Sequence, residues 1–399
     1  MFFLPSSLRQ RNDPLEEAIF RASHEGDLRR MQNLVVDHPN VNFTARNGST
    51  PLCCASYKGF LHCVQWLVQS AGADFHQTTR DAYAITPLYA AAQEGHTPIV
   101  QFLISHGADY QSKNWQTGYS PLQISALLGH ASTVRCIASE LGNVTLQKSG
   151  EGQKALLLAF MKGHYSVMEF LIQEVGISPD FHFANGMTPL CHAITKRNLP
   201  MVNFLIHVGA DVDFTTLPTA SQSALKVLWG RLTVRESDDH ASSASSSSLW
   251  HRLTSFGQNK RHCDTTPLEK AIVQRDSEIV RLLLKNGAKM DIRHADGQSS
   301  WCILNSAIYT GCLPVVQALV EHGALKKDNQ LSALLTACRT GQVTIFRYLV
   351  WHGSTAKVFQ GAFPYRFLST ACERQYQDIA YYILGQTMCR DLLLGGNPR

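Results

Sequence analysis

Charged residues are scarce in this chain, 17% of its 399 positions, against roughly a quarter in ordinary soluble domains. Disorder needs much charge and little apolar material, and 44% of these residues are hydrophobic, so a packed structure is expected. Excess charge of one sign is lacking too. Lys and Arg number 36 against 31 Asp and Glu, a formal +5, and the densest basic run is Lys260-Arg261-His262. That builds no phosphate-binding stripe, so nucleic acid is not the expected partner. Long apolar runs are missing: the longest, Ala155 to Met161, is far short of the roughly 20 residues that cross a bilayer. No membrane insertion is expected. The start, Met1-Phe2-Phe3-Leu4-Pro5, has neither the basic opening nor the apolar stretch of a secretory signal. The expectation is a soluble chain not exported by that route.

The 11 cysteines form no Cys-x-x-Cys pair, and an odd count suits reduced thiols better than a disulfide framework. A reducing compartment follows, with the cytoplasm expected first and the nucleus second. The neighbours His62-Cys63, Cys191-His192 and His262-Cys263 point about 100° apart on a helix and are poor chelators, so no metal and no cofactor are expected. Phosphate-binding glycine loops, Gly-x-Ser-x-Gly and His-Glu-x-x-His are all absent. Neither a catalytic residue nor a small-molecule substrate is expected.

What the chain does have is a unit that recurs about every 34 residues. One copy runs Thr86-Pro87-Leu88, Ala90-Ala91-Ala92, Gly95-His96, Ile99-Val100, Leu103-Ile104 and Gly107-Ala108-Asp109. Equivalents of Thr86 fall at Glu17, Thr50, Ser120, Lys154, Thr188, Ser223, Thr266, Cys302, Ser332 and Arg366. Thr or Ser before Pro starts a helix, because the hydroxyl accepts from an orphan N–H and proline needs no donor at the first helical position. Gly95 and its equivalents end that first helix in a left-handed turn. A second helix follows with one apolar stripe, as in Ile279, Val280, Leu283 and Leu284. Histidines 96, 106, 130, 164, 322 and 352 recur at turn positions, which marks them as structural. Cys54, Cys338 and Cys372 replace alanines of other copies and read as small buried residues.

The Thr-Pro-Leu start, the Gly-His turn and the Gly-Ala-Asp end resemble the ankyrin repeat over about residues 15 to 390. One departure stands out: the family's His after Thr-Pro-Leu is replaced by Cys53, Tyr89, Gln123, Cys191 or Glu269. The resemblance implies an all-α repeat solenoid of about ten stacked helix-turn-helix units with projecting β-turn or hairpin loops. A single unit cannot bury its own apolar face, so neighbours supply the core.

Residues 1–14 read as an N-terminal extension, 15–216 as a first block of repeats and 266–396 as a second block with a C-terminal cap. Between them, 217–265 reads as a degenerate repeat with a Ser-rich flexible loop at about 235–248; a single insertion after Asp213 fits the composition as well.

The side chains that the repeat leaves free are on the loop tips and the exposed edge of each first helix. Matched by register, these are Arg46, Tyr57, Lys58, Arg80, Tyr83, Gln93, Glu94, Gln116, Tyr119, Lys162, Asn185 and Lys196, with Trp115 nearby. Tyr, Trp and Arg are the usual anchors of protein interfaces. The expected function is therefore a non-catalytic scaffold or adaptor that binds a partner protein or extended peptide along its concave face and loop tips. The alternative is a substrate-recruiting subunit of a modifying complex such as a ubiquitin ligase. That would need a second docking module, which the tail after Ile383 does not show.

Overall fold

A computed structural model describes residues 13–80, 84–183, 185–216, 265–290, 303–325, 327–353 and 363–393. Every regular element among them is helical, and those up to Pro179 form one compact unit while those from Asp180 onward form another.

The first unit holds five helix pairs: α1 (Pro14–Glu25) with α2 (Leu28–Asp37), α3 (Pro51–Lys58) with α4 (Leu61–Gln69), α5 (Pro87–Glu94) with α6 (Thr97–Ser105), α7 (Pro121–Leu128) with α8 (Ala131–Leu141), and α10 (Glu151–Lys162) with α11 (Tyr165–Glu169). First helices α1, α3, α5, α7 and α10 pack in sequence, and α4, α6, α8 and α11 form the second row. The short α9 (Asn143–Lys148), with Leu146 buried, stands before α10 where a hairpin loop was expected. A single π turn, Phe170–Glu174, continues α11, and Arg135 stacks 4.6 Å over Phe170 and pairs with Glu174.

The second unit also holds five pairs: α12 (Pro189–Thr195) with α13 (Leu199–His207), α14 (Pro267–Val273) with α15 (Ser277–Lys285), α16 (Ile303–Thr310) with α17 (Leu313–Glu321), α18 (Lys327–Arg339) with α19 (Val343–His352), and α20 (Phe363–Glu373) with α21 (Gln377–Leu393). The sequence-based block ending at 216 differs from this packing, because α12 and α13 pack on α14 and α15. Thr216 N donates to Thr265 O at 3.1 Å, closing the same hairpin that Ala45 N and Ser49 O close at 2.9 Å. Among the described residues, no helix pair therefore stands between α12–α13 and α14–α15. The degenerate repeat and Ser-rich loop expected at 217–265 lie outside the described residues, apart from Thr265, as do residues 1–12 of the N-terminal extension.

The local chemistry explains where helices start. Thr50, Thr86, Ser120, Thr188 and Thr266 each accept from the backbone N–H three residues on, and proline follows each. Where no Thr-Pro stands, as at Glu17, Lys154 and Arg366, the helix begins about one turn earlier. Apolar stripes then meet between repeats. Leu52, Leu88, Leu122, Val64, Val100 and Val134 are all buried, and each such side chain contributes on the order of 2 kcal/mol.

Neighbouring repeats are fastened at the turn between the two helices. Gly95 has φ +77, and an added Cβ would lie 2.5 Å from the His130 ring of the next repeat. His130 Nε2 donates to Gln93 O at 2.9 Å; His96 to Tyr57 O and His164 to Leu127 O repeat the bond at 3.0 Å. The structural reading of these histidines holds, but they do not all act alike: His352 stacks on Tyr348 with ring centroids 4.3 Å apart. His106 and His322 instead cap second helices, each donating from Nδ1 to the carbonyl four residues back.

In the second unit the left-handed position holds Arg197 (φ 52), Arg275 (φ 57) and Gln375 (φ 61). Short residues follow in register: Asp276 stands where the next repeat's histidine would meet Arg197, and Cys312 Sγ lies 3.8 Å from Arg275 O. Gln375 belongs to the last described repeat. Glycine returns at Gly311 and Gly341, where Gln342 and Tyr376 come over the turn.

The residues replacing the family's histidine find other partners. Gln123 Nε2 donates to Glu151 Oε2 of the next repeat at 2.6 Å, and Cys53 Sγ donates to Ile85 O at 3.5 Å. Tyr89 hydrogen-bonds Thr117 of the next hairpin, and Glu269 closes a capping box with Thr266.

Candidate functional site

The candidate side chains lie at two places in the repeat, the end of the first helix and the tip of the hairpin. In the first unit the helix ends present Tyr57 and Lys58, then Gln93 and Glu94, then Leu128, then Lys162. Tyr57 is 42% exposed, with the Lys58 ammonium 6.0 Å from its ring centroid. Its phenol is held above the ordinary range by burial first, then by the Glu94 carboxylate and the hydrogen bond to it. Gln93 Nε2 donates to Glu94 Oε1 at 3.1 Å. Tyr57, Lys58, Gln93 and Glu94 are thus one polar and aromatic patch across two repeats.

The hairpin tips present Arg46, Arg80, Trp115 and Gln116, all exposed. Arg46 Nε lies 3.5 Å from Glu17 Oε2. Arg80 N donates to Gly48 O at 2.7 Å, so adjacent hairpins are joined at their tips. Asn114 accepts from Gln116 N and Thr117 N, and this tight turn throws the Trp115 indole outward, 66% exposed. Tyr119 is half-buried, and its carbonyl accepts from Asn114 N. Tyr83 lies outside the described residues. Asn185 and Lys196 belong to the second unit: Asn185 is half-buried, its Oδ1 accepting from Met187 N, and Lys196 is exposed.

Between hairpin and helix, Glu151 is a hub. Lys113 Nζ lies 2.7 Å from Oε1, while Ser120 Oγ and Gln123 Nε2 donate to Oε2. Lys154 beside it is pushed below the usual lysine range by burial.

Burial pushes the Cys54, Cys63, Cys191 and Cys338 thiols up to about 11, so they stay protonated and inert at neutral pH. Cys372 departs from the expected buried role: it is exposed, because among the described residues no further first helix covers α20. No group of three or more metal-ligating side chains occurs among the described residues, and no helix there is long and apolar enough to cross a membrane. Sequence reasoning missed the left-handed Arg197 and Arg275 and the 84% exposed Trp351. An arginine in a glycine register was the available signal for the first two.

A profile for ankyrin repeats in three copies matches residues 18–114, 79–148, 122–216 and 240–330. Among characterised proteins, mouse ankyrin repeat and SOCS box protein 5 is 36% identical over 101 residues, 25% of this chain and 28% of that protein. Human protein phosphatase 1 regulatory subunit 27 is 39% identical over 85 residues, 21% of this chain and 49% of that protein. Rat ankyrin repeat and SAM domain-containing protein 6 is 33% identical over 104 residues, 25% of this chain and 12% of that protein. The match thus spans less than half the length of each of these relatives. With the helix pairs, caps and turns already described, the profile match along most of its length shows that this chain belongs to the ankyrin repeat family.

Proposed function

We propose that the chain is a non-catalytic adaptor that binds a protein or an extended peptide through its first-helix ends and hairpin tips. The observation that carries this reading is a contrast within the repeat. In the first unit the positions that fasten repeats together are filled alike, by Gly59, Gly95, Gly129 and Gly163 and by His96, His130 and His164, whereas the helix-end position there runs Lys58, Glu94, Leu128 and Lys162. The family binds protein partners and is generally non-catalytic, and Tyr57 and Trp115 are exposed aromatic anchors of the kind interfaces use. The reading includes a cytoplasmic location, in keeping with the thiols.

Proximity labelling and mass spectrometry on cells expressing the wild-type chain or Tyr57→Ala/Trp115→Ala test this. Partners found only with the wild type support the reading; an identical partner set with both chains refutes it for this patch.

A second reading, recruitment of substrates to a modifying complex such as a ubiquitin ligase, draws support from the similarity to ankyrin repeat and SOCS box proteins of mouse and cattle. Purification that returns ligase subunits with the chain would decide for it, and their absence from a purification that retains other partners would decide against it.

A further inference from the structure

In the second unit, the turns between first and second helices carry exposed cations at Lys196, Arg197, Arg275, Arg339 and Arg374. These turns are continuous. Arg197 Nη2 donates to Gln274 O at 2.5 Å, and Cys312 Sγ lies 3.8 Å from Arg275 O. Gln342 then lies over Gly311 and Tyr376 over Gly341. Two apolar side chains stand within the row, Val273 at 68% and Tyr309 at 53% exposure. Opposing charge is sparse: Glu373 is in the row, and the Asp276 carboxylate beside Arg275 accepts from Glu278 N and Ile279 N. Among the described residues, no ion pair involves Arg275, Arg339 or Arg374. Arginine at 197 and 275 also occupies a left-handed conformation that glycine would adopt without cost.

We propose that this row docks an acidic, extended segment of a partner protein, with apolar side chains between its acids. The inference rests on the reading of the array as a recognition surface and adds the partner's chemistry. Stacked helices lie roughly 10 Å apart, and an extended segment in the polyproline II form advances about 3.1 Å per residue with every third side chain on one face. One acid every third residue therefore meets one turn after another, and about 12 residues span the five turns. Each exposed cation contributes weakly, so affinity comes from the series and is salt-sensitive.

The test is fluorescence anisotropy of the full chain with a labelled peptide of about 12 residues, Glu at every third position and Leu at intervening positions. Binding is expected to weaken tenfold or more as salt rises from about 0.05 to 0.5 M. Arg275→Gly should weaken it roughly two- to fivefold without lowering the thermal midpoint, since glycine relieves the left-handed backbone; that variant separates docking from folding. Arg275→Gly/Arg339→Gln/Arg374→Gln should weaken it tenfold or more, the same peptide with Lys for Glu should not bind, and Lys285→Gln, which removes an exposed cation outside the row, should leave binding unchanged. Retained affinity in the triple variant, equal binding of the Lys peptide, or tighter binding of a single-stranded oligonucleotide of similar length would overturn the proposal. Should the acidic peptide fail while partner labelling still depends on Tyr57 and Trp115, this inference falls and the adaptor reading stands.

Discussion

Replacing residues 217–264 by the three-residue tip Arg46-Asn47-Gly48 of another hairpin should give a folded and more stable second unit. The backbone already supports the graft. Thr216 N and Thr265 O are bonded at 3.1 Å, Thr265 N donates to Thr216 Oγ1 at 3.1 Å, and the two hydroxyls lie 3.0 Å apart. Across the same junction Arg197 reaches Gln274 O, and Lys289 donates from its backbone to Asp213 while its ammonium pairs with that carboxylate at 3.4 Å. The ends are therefore held together whatever lies between them. Closing a loop costs about 0.6 kcal/mol more for each doubling of its length, and going from roughly 48 residues to three is four halvings. The graft should gain about 2 kcal/mol. Urea unfolding should show a higher midpoint with little change in slope, because the slope follows the surface exposed on unfolding. A marked fall in slope, or loss of the fold, would show that 217–264 contribute packed structure and refute the reasoning.

Three further outcomes follow from particular contacts. Gly95→Ala should destabilise the first unit by about 2 kcal/mol, from left-handed strain plus loss of the His130 to Gln93 bond. Gly107→Ala, where a Cβ meets nothing within 4 Å, should cost about half as much; equal losses in urea titrations would count against the ring contact. Glu151→Ala should cost roughly 2 kcal/mol and Glu151→Gln less, measured the same way, because the first strands the Gln123 amide and the Lys113 ammonium. His192 is lowered to about 4, by burial first and then by Lys196, while the unfolded chain takes up its proton near 6.5. Its stabilising contribution is complete above about pH 6.5 and is lost as pH falls toward 4, by up to about 3 kcal/mol. His192→Gln should flatten that stretch of a stability-against-pH curve.

The repeat, its helix starts and its left-handed turns were legible in the sequence because each depends on neighbouring residues. Thr86-Pro87 caps a helix by local geometry, and Gly95 ends it likewise. Tyr57, Lys58 and Trp115 were legible as exposed positions once the register was known. Other features were hidden. The His130–Gly95 stack joins residues of different copies, so neither residue alone predicts it. The short α9 carries no Thr-Pro signal. Arg197 and Arg275 look like ordinary solvated charges until the register places them where glycine belongs. Cys372 matches the buried Cys54 and Cys338 in sequence and differs only by lying in the last described first helix.

The rule that a ring demands a bare glycine beneath it, while Arg275 tolerates only a short neighbour, makes the order of the copies matter. Moving α14–α15 into the place of α3–α4 would set an arginine stem under the imidazole of His96, so modules that look interchangeable are not. Recombination within such an array must keep partners paired across each junction, and a duplication is silent only when the turn it brings suits the copy it meets.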